Sequence, residues 1–181
     1  MTTPRIAPVD PPYSPALQAD FDKLMRGAPP LLLFRTMAQN PRVLSRMMAG
    51  GLLDKGSINV RQRELMILRI TALCGAEYEW GVHVAAFGAK AVWTPEQIRS
   101  TCRRSADDAC WSADEKAVIK LADSLTLSKN VDDALWAELK SHFKDDQLIE
   151  LIMLAGLYHA VSFILNATHV ELEKFAPRFP A

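Results

Sequence analysis

Two segments of this 181-residue chain set ionisable side chains inside otherwise apolar sequence: Arg61-Gln62-Arg63-Glu64-Leu65 and Glu77-Tyr78-Glu79-Trp80-Gly81-Val82-His83. Glu79 and His83 stand four apart, so on a helix they rise from one face, one turn apart, within reach of a shared proton. Glu64, nineteen residues before His83, falls on the preceding helix among Leu65, Met66, Ile67, Leu68 and Ile70. A carboxylate so surrounded must be paired or protonated. In a purely structural role Arg61 or Arg69 would neutralise it. A carboxylate beside an imidazole stabilises the imidazolium, so His83 is expected to hold a proton near neutral pH, where an unperturbed histidine titrates at about 6.5. Glu64, Glu79 and His83 are therefore the candidate catalytic residues, and proton transfer is the chemistry they suit.

The other polar positions divide between site and scaffold. Tyr78 and Trp80 could line a pocket and orient a substrate, or lie in the core with one hydrogen-bonding handle each. His159, Ser162 and Asn166 form a polar stripe on a long apolar helix, which either closes a pocket over His83 or serves subunit packing. Glu77 in a first helical turn complements the helix dipole. A metal is not expected: Glu79 and His83 offer two ligands on one face, but no second pair at ligand spacing occurs, and His159 and His169 are ten apart. No glycine-rich phosphate loop, nucleophile elbow or dinucleotide fingerprint is present, so no cofactor is expected.

These residues must be positioned by helices, since no period-2 strand pattern occurs anywhere. Five of the eleven prolines lie in the first fifteen residues, which predicts an extended arm over 1–13. Ser14-Pro15 starts a helix that stops at Gly27. A short helix spans Pro30 to Gln39, and Asn40-Pro41 opens another ending near Gly50-Gly51. Asn59 or Ser57 begins the Glu64 helix, Gly75 breaks it, and the Glu79 helix runs to about Lys90. Thr94-Pro95 starts the next. Ser112-Ala113-Asp114-Glu115 is a capping box for a helix to about Ser128, followed by one from about Asp132 to His142. The last runs from Asp145 or Asp146 to about Glu173, leaving an irregular tail over 177–181. The expectation is an all-α, single-domain bundle of about eight to nine helices over 14–176.

Composition narrows the function classes. Twenty-one basic residues balance twenty-one acidic ones with no run of like charge, so no electrostatic case for nucleic acid or an anionic membrane exists. A small-molecule substrate is the expected partner. Leu148 to Leu165 is as long and apolar as a bilayer span, but Glu150, His159 and Asn166 favour a buried or interface helix. Its excess of apolar surface, with the proline-rich arm, predicts a homo-oligomer: a dimer, trimer or hexamer. The start lacks the apolar core of a signal peptide, and Cys74, Cys102 and Cys110 form neither a Cys-x-x-Cys pair nor an even framework, so a cytoplasmic location is expected.

The two segments together resemble the core motif of the carboxymuconolactone decarboxylase and alkylhydroperoxidase D (AhpD-like) family, from about Leu31 to Glu173, with a second match in Phe163-Ile164-Leu165-Asn166-Ala167. The family's peroxidases carry Cys-x-x-Cys-x-x-x-His with a glutamate nineteen residues before the histidine. Glu64 and His83 match; the two cysteine positions fall on Ala76 and Glu79. The chain thus resembles the branch without the dithiol. That resemblance implies an AhpD-like helical fold and a cofactor-free lyase or isomerase acting on a small carboxylated lactone or related acid. His83 would be the acid, Glu79 would orient its ring, Glu64 would relay the proton or position a water, and an arginine such as Arg69 would receive a substrate carboxylate. Peroxide reduction is the alternative enzyme class, disfavoured because Ala76 and Glu79 supply neither the attacking nor the resolving thiol. A catalytically silent oligomeric ligand-binding protein on the same scaffold is a third reading.

Overall fold

The computed structural model describes residues 3–103 and 106–180, so the first two residues of the expected arm and the last of the expected tail lie outside the described residues. Among the described residues there are nine helices and no strand: α1 (Pro15–Met25), α2 (Leu32–Met37), α3 (Pro41–Ala49), α4 (Val60–Leu73), α5 (Glu77–Phe87), α6 (Pro95–Ser100), α7 (Ala113–Leu127), α8 (Asp133–His142) and α9 (Asp145–Thr168). Most helix starts are set by local capping. Ser14 and Asn40 accept the backbone N–H three residues on, each followed by proline at the first helical position. Asn59 and Gln62 close a reciprocal capping box on α4, with bonds of 2.9 and 3.1 Å.

The turn between α4 and α5 decides where the chemistry sits. Gly75 adopts the left-handed conformation (φ +66°), and the N–H groups of Gly75 and Ala76 return to the carbonyls of Ala72 and Thr71. That pattern is a Schellman ending, which needs a residue without a Cβ penalty at this point. The chain reverses within three residues, so α5 lies against α4 and the Glu64 and His83 levels meet. α4 is buried on nearly all sides, packed between α5, α7 and α9. Its apolar residues join those of α7 to α9 in one core cluster, while α1 to α3 and parts of α5 and α9 build a second.

Two helices end earlier than their sequence pattern suggests. α5 stops at Phe87 because the Arg61 guanidinium takes the carbonyls of Ala91 (2.8 Å) and Val92 (3.1 Å) while lying 4.3 Å from the Trp93 ring, which holds the following residues in a turn. α9 ends at Thr168, five residues short of Glu173, because His169 is left-handed (φ 54°) and the chain folds back. Glu173 then accepts hydrogen bonds from the Leu32 N–H and the Tyr78 hydroxyl, both 2.8 Å, tying that return to α2 and α5.

The described part of the arm runs without helix across its own chain: Arg5 N–H donates to Thr168 and Val9 N–H to Arg35. α9 is long and apolar enough to cross a membrane by length and composition. One face, including Leu148, Leu151, Leu154, Tyr158, Val161 and Leu165, is buried, while Ile149, Met153 and Phe163 are exposed on another.

Residues 176–180 lie close along α5. A Cβ built on Gly81 would meet the Pro177 carbonyl oxygen at 2.3 Å, a backbone atom that cannot swing aside. Gly81→Ala is therefore expected to lower stability by roughly 1–3 kcal/mol, as overpacking does. The check is a fall in melting temperature; an unchanged value would refute this close approach.

Candidate functional site

Glu64, Glu79 and His83 come together, all buried in the hairpin. Glu64 Oε2 lies 2.7 Å from His83 Nδ1, with Glu64 1% and His83 4% exposed as side chains. Glu79 Oε1 approaches the other ring nitrogen, Nε2, at 3.4 Å. The short contact is thus to Glu64, on the neighbouring helix, so Glu64 rather than Glu79 fixes the ring. Two further residues, neither singled out from the sequence, complete the group. Tyr158 on α9 places its hydroxyl 3.1 Å from Nε2, its ring edge-on to the imidazole. Arg63 directs Nε and Nη2 onto Glu64 Oε1, each at 2.8 Å, and Nη1 onto the Leu53 carbonyl at 2.8 Å.

Four charges therefore alternate through the interior: Arg63, Glu64, His83 and Glu79. Burial works against a charged His83, but hydrogen bonds to Glu64 and Glu79 outweigh it and lift its pKa to about 9. Both ring nitrogens then carry hydrogen near neutral pH, with Nδ1–H given to Glu64 and Nε2–H turned toward Glu79 and Tyr158. Burial, followed by the fields of Glu79 and Glu64, pushes the Tyr158 phenol well above its ordinary range, so its hydroxyl keeps its proton.

A cavity of about 1230 Å³ opens onto this group, lined by α5 and α9 on one side and by residues of α2, α3 and the 51–59 loop on the other. Arg63, Glu79, His83 and Tyr158 line it, whereas Glu64 does not. Glu79 Oε2 is buried with no hydrogen-bond partner. Glu64 and Glu79 occupy opposite nitrogens of one ring, so the three side chains cannot converge on a single ion. Among the described residues no group of three or more His, Cys, Asp or Glu side chains could hold a metal.

The five candidate substrate-binding residues lie elsewhere. Arg69 points to the other side of α4, where its fork meets Asp123 at 2.6 and 2.9 Å and it donates to the Thr101 carbonyl. It is no more available to a substrate than to Glu64. Tyr78 accepts from Leu33 N–H (3.1 Å) as well as donating to Glu173, and Trp80 donates to Thr101 Oγ1 (2.9 Å). The polar stripe on α9 is satisfied by backbone carbonyls: His159 by Ala155, Ser162 by Tyr158 and Asn166 by Cys74. None of the five lines the cavity. The structural reading with Arg61 also gives way, since Arg61 is held by Glu115. Cys74 is half-buried, and burial raises its thiol, with a Ser162 hydrogen bond opposing, which disfavours the reactive thiolate.

Residues 39–123, which contain this hairpin, match the family model described as the carboxymuconolactone decarboxylase family. The chain is similar to that family over this segment, which is just under half of its length. Within the matched segment, Ala76 and Glu79 stand at the two cysteine positions of the dithiol motif. The uncharacterized protein YdfG of Bacillus subtilis is 28% identical over 103 residues, covering 55% of this chain and 68% of that protein. An uncharacterized peroxidase-related protein from Silicibacter sp. TM1040 superposes with a TM-score of 0.81 over 99% of this chain and 100% of its own, at 18% identity. A variant of the debrominase Bmp8 in complex with 2,3,4-tribromopyrrole gives a TM-score of 0.76 over 97% and 94%, at 15% identity. At these identities the likeness is one of fold, the all-helical AhpD-like fold that this chain shares.

The raised histidine has a thermodynamic consequence. Its folded pKa, about 9, lies above the 6.5 of a free imidazole, so its contribution to stability is fully present below pH 6.5 and is lost as pH rises through 9. Melting temperature should therefore decline between pH 6.5 and 9.5, and His83→Gln should flatten that decline. A wild-type profile flat across this window would show that the imidazole is not held charged.

Proposed function

We propose that this protein is a cofactor-free lyase or isomerase of the carboxymuconolactone decarboxylase type, moving a proton at a carbon next to a carbonyl. The observation that carries the reading is the buried imidazole of His83, braced by Glu64 at 2.7 Å and lining, with Glu79, a large cavity. In a decarboxylation of a carboxylated lactone or related acid, the bond to the carboxylate breaks. Its electron pair enters the lactone carbonyl as an enolate, and carbon dioxide leaves. The enolate pair then takes the proton from His83 Nε2, which solvent later restores. In an isomerisation Glu79 removes the proton from one carbon and His83 delivers one to another. Arg63 lines the cavity in place of Arg69, but its fork is held by Glu64 and the Leu53 carbonyl, so its part is to balance the charge of Glu64.

The dithiol peroxidase reading has no thiol pair to use, and the raised Cys74 thiol speaks against a single-cysteine version. Self-association belongs to the same proposal: the exposed Ile149, Met153 and Phe163 on α9 support a homo-oligomer. Light scattering at micromolar concentration should give a mass above the 20.1 kDa of one chain; a monodisperse monomer would count against it.

The deciding experiment follows lactone turnover by ultraviolet absorbance beside a hydroperoxide panel with a thiol donor. His83→Gln and Glu64→Gln should each cost about a hundred- to ten-thousandfold in rate with the helical fold retained. Their combination should cost far less than the product of the two, because both act through one imidazole. Retention of full turnover by either variant, or robust peroxide turnover that disappears on Cys74→Ser, would sink the proposal.

A further inference from the structure

The inner end of the cavity has its charges already matched. Arg63 is held by Glu64, and His83 lies between Glu64 and Glu79, so two cations meet two anions. No net positive charge is left there to receive an anion. The unmatched atom is an acceptor: Glu79 Oε2, buried and without a partner, on a side chain that lines the cavity and is only 8% exposed. An unpaired buried acceptor is costly, and a ligand that brings a hydrogen-bond donor relieves the cost. Beside it stands a donor. With His83 protonated, Nε2–H is given toward the Tyr158 oxygen, and the Tyr158 hydrogen is left to point at a ligand. Acceptor and donor side by side suit a neutral hydroxyl, as in an enol or a phenol.

The walls beyond that end are of another kind. Leu33, Phe34, Met48, Val82, Leu157 and Val161 line the space, while Arg26, Asp54, Lys55 and Lys90 sit exposed at its rim. A compact, multiply charged acid would leave most of the cavity unfilled and set its charges against apolar side chains.

From these observations we infer that the cavity takes an apolar molecule ending in a neutral hydroxyl next to, or conjugated with, a carbonyl: an enol or enolisable compound with an extended hydrocarbon body. The hydroxyl donates to Glu79 Oε2 and accepts from Tyr158. This rests on the reading of Glu79 and His83 as the reactive pair and narrows it to the isomerase branch, in which the enol O–H proton passes to Glu79 and the carbon takes one from His83.

Alkylphenols stand in for the enol. Calorimetric titration of the full-length protein at pH 7 with 4-ethyl-, 4-butyl- and 4-hexylphenol should show affinity rising about fourfold per added methylene until the cavity is filled. 4-Hexylanisole, which has no donor, and 4-hexylbenzoate, which is anionic, should bind at least tenfold more weakly than 4-hexylphenol. Tyr158→Phe should reduce phenol affinity while keeping the chain-length slope. Ala86→Phe, a change at an exposed lining position, should flatten the slope. Affinity independent of chain length, or tightest binding of the benzoate, would overturn the inference. So would exclusion of every phenol by a second copy of the chain seated in the cavity, seen as affinity that improves on dilution.

The two readings fail separately. The predicted binding profile with no deuterium exchange into a bound alkyl ketone would leave the ligand class standing and remove the proton-transfer role. Turnover of a compact carboxylated lactone without any chain-length effect would do the reverse.

Discussion

Everything around the site depends on burying a carboxylate against an imidazole inside a helical hairpin. Removing either charge from water is expensive, and the cost is met only when partners stand within hydrogen-bond distance on every side. Glu64 has both: Arg63 on one oxygen and His83 on the other. That requirement constrains the fold closely. α4 must be enclosed so that Glu64 is dry, α5 must return along it so that His83 arrives at the same level, and the turn at Gly75 must be tight enough to keep the two in register. Losing one partner would leave the other as an uncompensated buried charge.

The same arrangement separates support from chemistry. Glu64, sealed from the cavity, behaves as the brace that orients the ring and favours its charged form. Glu79 and Tyr158 lie on the opposite side, at the nitrogen that faces the cavity, and Glu79 keeps one oxygen unengaged. A site whose supports are satisfied and whose one unpaired acceptor is buried on a cavity-lining side chain suits a ligand's hydrogen better than internal stability. Arg61 and Arg69, by contrast, are used up holding the loop after α5 and the segment around Thr101. They stabilise the walls on which the site rests.

The balance of charge also bears on how this hairpin differs from the dithiol motif that it resembles. A peroxidatic cysteine needs a lowered pKa and a partner thiol one turn away. Here Glu79 occupies one of those positions, and its negative charge favours an imidazolium instead of a thiolate. The hairpin therefore sets a carboxylate beside the imidazole where the dithiol motif has a thiol.

Local sequence was enough for the helices and for the central pair. Proline, serine, asparagine and capping-box signals act within four residues, so the starts of α1, α3, α4, α6, α7 and α8 were legible at Pro15, Pro41, Val60, Pro95, Ala113 and Asp133. The meeting of Glu64 with His83 was legible for the same reason: only a glycine turn separates their helices. Tertiary structure alone decided the rest. Tyr158 reaches His83 from 75 residues away, Arg63 rather than Arg61 or Arg69 pairs with Glu64, and Tyr78, Trp80, His159 and Asn166 spend their polar atoms on the scaffold. The early ends of α5 and α9 depend on Arg61 and on the reversal at His169. Which side of a buried helix a polar residue faces, and what meets it there, is set by elements distant in the chain, and a helix that is apolar on every side carries no local record of that choice.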